Sequence, residues 1–461
     1  MRAIDTIKNI WKIEDLRTRI LITLLLITVY RFATVITLPG IDPAALTKLQ
    51  DQTAGGIMSL LDMFSGGAFS NASIVALGIM PYITASIVIQ LLSIAIPSFQ
   101  KLQREGESGR RKINQYTRYL TLIILVMQAP AYLVNLRVQL AAMNQQLISK
   151  GEMPFNVDII NSFFGFTVPS IVILAAGSMF VLWLGERITD KGIGNGISFI
   201  IMVGIIARLP YALAQEFSSR IVDQTGGLIM FLVEIILLLF VIGGAIALVQ
   251  GTRRIPVQYA KQMVGNKQYG GARQYIPLKV NAANVMPIIF AQAIMFLPVA
   301  LIGYGSSEQQ DAWYVKMFAP LSDMHSFWYN FVFAVLIILF TWFYTAITIN
   351  PKQMAEDLKR NNGFIPGVKP GKKTAEYIDE IMSRITLPGS LFLAAVAIMP
   401  AFANLFGVKQ EFAQFFGGTS LLILVGVVLD TLQQVESHLL MRHYDGLLKS
   451  GRIKGRSGQM Y

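Results

Sequence analysis

SLLDMFSGGAFSNASIVALGIMPYITASIVIQLL, residues Ser59–Leu92, decides the fold of this chain. A short apolar piece, Ile57 to Phe69, is interrupted by the pair Gly66-Gly67 and followed at once by a full-length apolar run. Crossing the hydrocarbon of a bilayer as a helix takes about 20 residues. The first piece is too short to cross, so it is predicted to turn back inside the protein. Non-helical backbone survives at membrane depth only where protein or a water-filled cavity shelters it. A half-helix lodged at the mouth of a cavity can stopper a pore.

The rest of the chain has the composition of a polytopic membrane protein. Of 461 residues, 54% are hydrophobic and 14% charged, and none is cysteine. Disulfides and thiolate metal sites are thereby excluded. Apolar runs of spanning length lie at 20–38, 73–96, 116–136, 164–184, 193–214, 227–249, 284–304, 327–349, 385–406 and 419–440. Ten spans place both termini on one side. The first run has no small-residue cleavage site and reads as a retained anchor. Of the 39 Lys and Arg residues, 30 fall in the N-terminus, the even-numbered loops and the C-terminal tail, whereas the acidic residues divide almost evenly between the two sides. The positive-inside rule makes that side cytoplasmic. The predicted organisation is a cytoplasmic amphipathic segment (1–19), an N-terminal half with spans 1–5 (20–215), a C-terminal half with spans 6–10 (216–440) and a basic cytoplasmic tail (441–461).

Two loops on the basic side exceed what a connector needs. Residues 251–283 carry Arg253, Arg254, Lys261, Lys267, Arg273 and Lys279 with no acidic residue. RRIPVQYAK and RQYIPLKV are rich in β-branched and aromatic residues and are separated by GNKQYGGA, which predicts a hairpin. Residues 350–384 carry seven basic and five acidic residues around NNGFIPGVKPGKK. Both loops suit phosphate-rich or acidic partners, although ordinary positive-inside bias also produces basic loops. A faint internal repeat aligns GIMPYITASIVIQLL (Gly78–Leu92) with NVMPIIFAQAIMFLP (Asn284–Pro298). Five spans separate the two, as expected of related halves with inverted topology.

Residues for intramembrane chemistry are sparse. His325, His438 and His443 lie at or beyond span ends, and there is no zinc-binding helix motif and no Walker A loop. The glycines of GIGNGIS (Gly192–Ser198) are followed by no lysine at P-loop spacing. Ionisable residues within spans are functional suspects. Arg31 is close enough to the outer end of span 1 to snorkel, and Glu234 and Asp430 stand as isolated acids in spans 6 and 10.

The Ser59–Leu92 stretch resembles the SecY family of protein-translocation channels. The similarity extends through YRFATVITLPGID (Tyr30–Asp42), TDKGIGNGISFII (Thr189–Ile201), IPLKVNAANVMPIIFA (Ile276–Ala291), FIPGVKPGKKTAEYID (Phe364–Asp379) and FFGGTSLLILVGVVLDT (Phe415–Thr431). The resemblance implies an all-α membrane protein of ten transmembrane helices in two pseudo-symmetric inverted halves of five. It also implies a plug that includes Leu60, Leu61, Met63, Phe64, Gly66 and Gly67, and an hourglass channel narrowed by Ile79, Ile83, Ile197, Ile201, Ile289 and Ile423. Each pair Ile79/Ile83 and Ile197/Ile201 is spaced to share one helix face. A tight ring of branched apolar side chains blocks ions by dewetting and offers a passing peptide no hydrogen bonds.

The same resemblance implies a lateral opening between spans 2–3 and 7–8, with Thr84, Gln90 and Asn281 near the seam. It assigns docking of the ribosome and the SecA ATPase to Arg253, Arg254, Lys261, Lys267, Lys369, Lys372 and Lys373. SecE and SecG are implied as membrane partners, together with preproteins bearing signal sequences and the lipid bilayer. Lys369 departs from the arginine usual among bacterial relatives, and an ammonium cannot make the planar bidentate contact of a guanidinium. No cofactor and no enzymatic activity are implied. The reading is therefore a channel of the bacterial cytoplasmic membrane that passes unfolded polypeptides across the bilayer or sideways into it. The alternative is a secondary transporter of a small solute, which also uses inverted repeats and broken helices.

Overall fold

The computed structural model describes residues 13–41, 62, 64–149, 162–222, 227–259, 262–264, 267–269, 273–283, 285–303, 321 and 326–449. Leu60, Leu61, Met63 and Lys261, with most of the segment 1–19 and the end of the tail, lie outside the described residues.

A helix lies on each of the ten apolar runs. They are α1 (Glu14–Val35), α2 (Met80–Ala95), α4 (Glu107–Ser149), α5 (Val168–Lys191), α6 (Gly196–Ile221), α7 (Gly227–Gln250), α8 (Met286–Gly303), α9 (Phe327–Thr348), α11 (Lys372–Leu405) and α13 (Gly418–Lys449). Short helices α3 (Pro97–Arg104), α10 (Pro351–Arg360) and α12 (Gln410–Ala413) join them. Among the described residues, eight helices are long and apolar enough to cross a membrane, and nine if the bent pair α2–α3 counts as one span. Large apolar side chains such as Phe32, Ile229, Phe240 and Phe331 are left exposed along these helices, as lipid-facing residues are.

Local chemistry sets the helix ends. Glu14 and Asp15 open α1, where a negative charge complements the positive end of the helix dipole. Pro81 sits in the first turn of α2, where its missing N–H costs nothing. Pro97 forces Ile96 into an extended conformation, so α2 stops and α3 leaves at 103°.

The structure departs from the predicted span 2 at its start. Residues 66–79 run in successive turns and not in a helix, with positive φ at Ala72 and Gly78 and a single bridge between Thr37 and Ser73. Ser73, Val75 and Ala76 are buried in protein. Their apolarity thus serves protein packing, which hydropathy alone cannot separate from contact with lipid.

The chain divides into two compact units. The first comprises Met1–Ala54, Met58–Arg208 and Val427–Tyr461, and the second Gly55–Ile57 and Leu209–Gly426. Helices α6 and α13 contribute residues to both. In the first unit α2, α4 and α5 pack side by side. The turns before α2 and the middle of α4 share an apolar core that includes Leu38, Ala72, Leu77, Leu125, Tyr132 and Leu174.

The second unit carries the predicted hairpin. Strand β1 (Thr252–Tyr259) pairs antiparallel with β4 (Arg273–Lys279) in a register that sets Ile255 opposite Ile276. Beyond them β2 (Gln262–Val264) pairs with β3 (Lys267–Tyr269). A two-residue strand, β5 (Gly363–Phe364), adds to the other side of β1 at Gln258 and Tyr259. In the β1–β4 register Pro256 stands opposite Tyr275 and Pro277 opposite Arg254. Ile255, Val257 and Leu278 then pack with Leu358, Ile365, Ile378 and Met382 into one core. The two basic loops, separate in sequence, form one small folded body.

Candidate functional site

The segment around Gly66-Gly67 is seated in the first unit on α1, α4 and α6. Tyr30 of α1 donates its hydroxyl to the carbonyl of Ser65 at 3.1 Å, and Arg31 donates to the carbonyl of Gly66 at 2.9 Å. Tyr132 of α4 donates to the carbonyl of Phe69 at 2.9 Å, and its ring meets that of Phe69 edge-on. Arg208 of α6 pairs with Asp62 and donates to the Ser70 hydroxyl at 2.9 Å. Asp62 also accepts the backbone N–H of Ser70 at 2.7 Å, closing the turn that holds both glycines.

The seat needs glycine at two places. Gly66 has φ +65°, a conformation costly for residues with a side chain, and a Cβ there would lie 2.8 Å from the Cα of Gly204 on α6. A Cβ on Gly204 would in turn lie 2.9 Å from the Phe64 carbonyl oxygen. Backbone thus rests directly on backbone. Phe64, Ser65 and Ala68 are buried. The carbonyls of Ser65, Gly66 and Phe69 each accept from a side chain of a neighbouring helix, which helps satisfy this buried backbone.

Arg31 is part-buried and donates to the Gly66 carbonyl. Arg208, an ionisable residue inside an apolar run, was overlooked in the sequence although that position itself is the signal.

The predicted isoleucines divide between the units. Ile79 is the N-cap residue of α2 and buried, and Ile83 follows one turn later with its N–H on the Ile79 carbonyl. Ile201 of α6 is buried, while Ile197 is half-buried with its Cγ1 against Gly185 of α5. These four belong to the first unit; Ile289 in the first turn of α8 and the buried Ile423 of α13 belong to the second. Among the predicted gate residues, Thr84 donates to the Met80 carbonyl and Gln90 to the Ser86 hydroxyl, each within α2. Asn281 is buried in the turn before α8.

Arg253 and Arg254 are exposed on β1 beside the buried Ile255. Lys267 begins β3. Lys369, Lys372 and Lys373 are exposed around Gly371, which starts α11 with φ +99°. Lys373 pairs with Glu376 at 3.0 Å, and the Lys369 carbonyl accepts the Thr374 hydroxyl.

The other sequence suspects resolve locally. In GIGNGIS, the N–H of Ile193 goes to Thr23, that of Gly194 to Gln434 and that of Gly196 to Thr189, so the loop has no donor row for a phosphate. Glu234 is not isolated. It accepts from Arg220 at 2.6 Å, Arg220 also pairs with Glu216 at 2.9 Å, and Glu216 accepts the N–H of Lys409. Asp430 is exposed and accepts from Gln434 one turn on. No group of three or more His, Asp or Glu residues able to hold a metal occurs among the described residues.

The described residues form a mostly helical protein with a small strand-bearing body, in which a short turn-rich segment is packed against long apolar helices. The fold matches that of a solved SecY protein whose plug domain is described as stabilising the closed state of the translocation channel, with TM-score 0.56 and 17% identity over 91% of this chain and 92% of that one. It also matches Sec61 in a canine ribosome–channel complex, with TM-score 0.53 and 16% identity over 91% and 92% of the two chains. The SecY family model matches residues 73–432. The protein translocase subunit SecY of Corynebacterium glutamicum is 42% identical over 448 residues, covering 95% of this chain and 98% of that protein. The chain belongs to the SecY family, and the small-solute transporter reading has no support.

Proposed function

We propose that this chain is the protein-conducting subunit of a translocase, passing unfolded polypeptides across the bacterial cytoplasmic membrane and releasing hydrophobic segments sideways into lipid. Ten helices cross the membrane in two inverted halves of five, the divisions at 20–215 and 216–440, with both termini cytoplasmic. Family membership and the charge bias between loops support this topology.

The observation that carries the reading is the seated segment around Gly66-Gly67, held by Tyr30, Arg31, Tyr132 and Arg208. It acts as the plug, which comprises Leu60, Leu61, Met63, Phe64, Gly66 and Gly67. Ile79, Ile83, Ile197, Ile201, Ile289 and Ile423 form the constriction, and Thr84, Gln90 and Asn281 lie along the lateral seam. Energy comes from outside, from the translating ribosome or the SecA ATPase. Arg253, Arg254, Lys261, Lys267, Lys369, Lys372 and Lys373 dock these partners. Lys372 and Lys373 stand at the positive end of α11, where a cation is unfavourable for the helix, so a partner is a better reason for them than stability. SecE and SecG complete the membrane complex.

The test is site-specific crosslinking. A photoreactive side chain at Ile83, Ile201, Ile289 or Ile423 should crosslink to a polypeptide stalled in transit, and one on the lipid-exposed Phe240 should not. Crosslinking from Phe240 alone would place the path elsewhere.

A further inference from the structure

Arg208 and Asp62 tie a spanning helix to the re-entrant segment. Arg208 is at the middle of α6, and Asp62 precedes the Gly66-Gly67 turn. Their side chains are only 18% and 13% exposed. Arg208 touches both ends of the turn, pairing with Asp62 and donating to Ser70. Asp62 fixes the same end from within by accepting the Ser70 N–H. One guanidinium therefore holds the two ends of the turn against α6, beside the place where Gly66 and Gly204 touch.

We propose that the Arg208–Asp62 pair is a latch that sets how readily the plug leaves its seat, with both as positioning residues; this rests on the plug reading above. Ions so shielded are weakly screened by salt, and a hydrogen bond to a charged group contributes more than a neutral one. The backbone hydrogen bonds can re-form wherever the chain passes a donor, whereas the ion pair is satisfied only in one register. It thus discriminates the seated state from every displaced one. The ordinary alternative is that Arg208 merely satisfies a local turn. In that case its removal would loosen the turn without changing how often the channel opens.

The experiment is single-channel recording of the purified complex in planar bilayers. It compares the parent with Asp62→Asn, Arg208→Gln, the double variant, Arg208→Lys, and a chain lacking residues 57–69 that sets the unplugged reference. Each single variant should raise the resting open fraction roughly ten- to a hundredfold, the range expected on removing a charged hydrogen bond. The double should open no more than the worse single, because both changes remove the same interaction. Arg208→Lys, which keeps the charge, should fall between the parent and Arg208→Gln. If the deletion opens the channel while both single variants stay at the parental level, the latch is refuted and the plug stands. If the deletion itself leaves conductance unchanged, the plug reading fails and takes the latch with it. Multiplying effects in the double, or equal leakage from Arg208→Lys and Arg208→Gln, would also overturn the pairing. Thermal melts of each variant separate a freed plug from a misfolded chain, since a freed plug leaves the melting temperature unchanged.

Discussion

Two charged clusters sit inside this protein, and they differ in what surrounds them. In the second unit Arg220 lies between Glu216 and Glu234 with side-chain exposures of 5%, 0% and 4%. Glu216 also takes the N–H of Lys409 from the loop after α11. In the first unit Arg208 and Asp62 are partly exposed, and both bond Ser70 of the turn-rich segment. Removing the counterion of a deeply buried charge is strongly destabilising, which suits the first cluster to a structural rivet. The second is nearer to solvent and suits an attachment that has to break.

The comparison predicts effects of different kind and size. Arg220→Leu should have the largest, leaving two carboxylates buried without a cation. Breaking such a pair costs about 3–5 kcal/mol, so the folded complex should not survive, which yield and melting temperature of the extracted protein will report. Asp62→Asn should not lower the melting temperature; equal destabilisation of both variants would erase the distinction between rivet and latch.

The isoleucines proposed as the constriction should act through apolar bulk alone. Replacing Ile83, Ile201, Ile289 and Ile423 by glycine should widen and wet the constriction, giving resting ion conductance in planar bilayers even with the latch intact. Unchanged conductance would remove these residues from the seal.

A smaller effect is expected where the Gly66-Gly67 segment meets α6 backbone to backbone. Gly204→Ala places a Cβ 2.9 Å from the Phe64 carbonyl oxygen, closer than the two atoms can rest. Overpacking of this kind costs about 1–3 kcal/mol, so the plug should be displaced and the resting open fraction should rise. A variant with parental conductance would mean that the seat gives way without releasing the plug.

The smallest effect belongs to the charges exposed on β1. Reversing Arg253 and Arg254 should lower ribosome affinity and reduce its logarithmic salt slope by about one for each phosphate no longer bound. Affinity indifferent to both reversal and salt would assign this loop another task.

The membrane class, the helices and the hairpin were legible in the sequence because hydrophobic runs and β-branched strands separated by glycines are local signals. The start of α2 was not, since Ser73–Ile79 is as apolar as a span yet is packed in protein turns. The seat was half legible. The short length of Ile57–Phe69 and its glycine pair set it apart from the spanning runs, but nothing in the sequence pointed to the side chains that hold it. Its partners Tyr30, Tyr132 and Arg208 lie 35 to 138 residues away from their acceptors and leave no periodic trace. Glu234 looked isolated for the same reason, its cation being 14 residues back on another helix. The joining of the two basic loops through Gly363-Phe364 was hidden because two residues are too few for a strand pattern.

The Gly66-Gly67 segment is expected to occupy its seat at rest and to leave it when a chain passes. The protein has no native cysteine, so a single one can be placed at Met63 and its labelling read without background. A thiol reagent added from outside should label Met63→Cys slowly in the idle channel and rapidly once a translocation intermediate is trapped. Equal labelling in both states would contradict a moving plug and leave a fixed re-entrant loop.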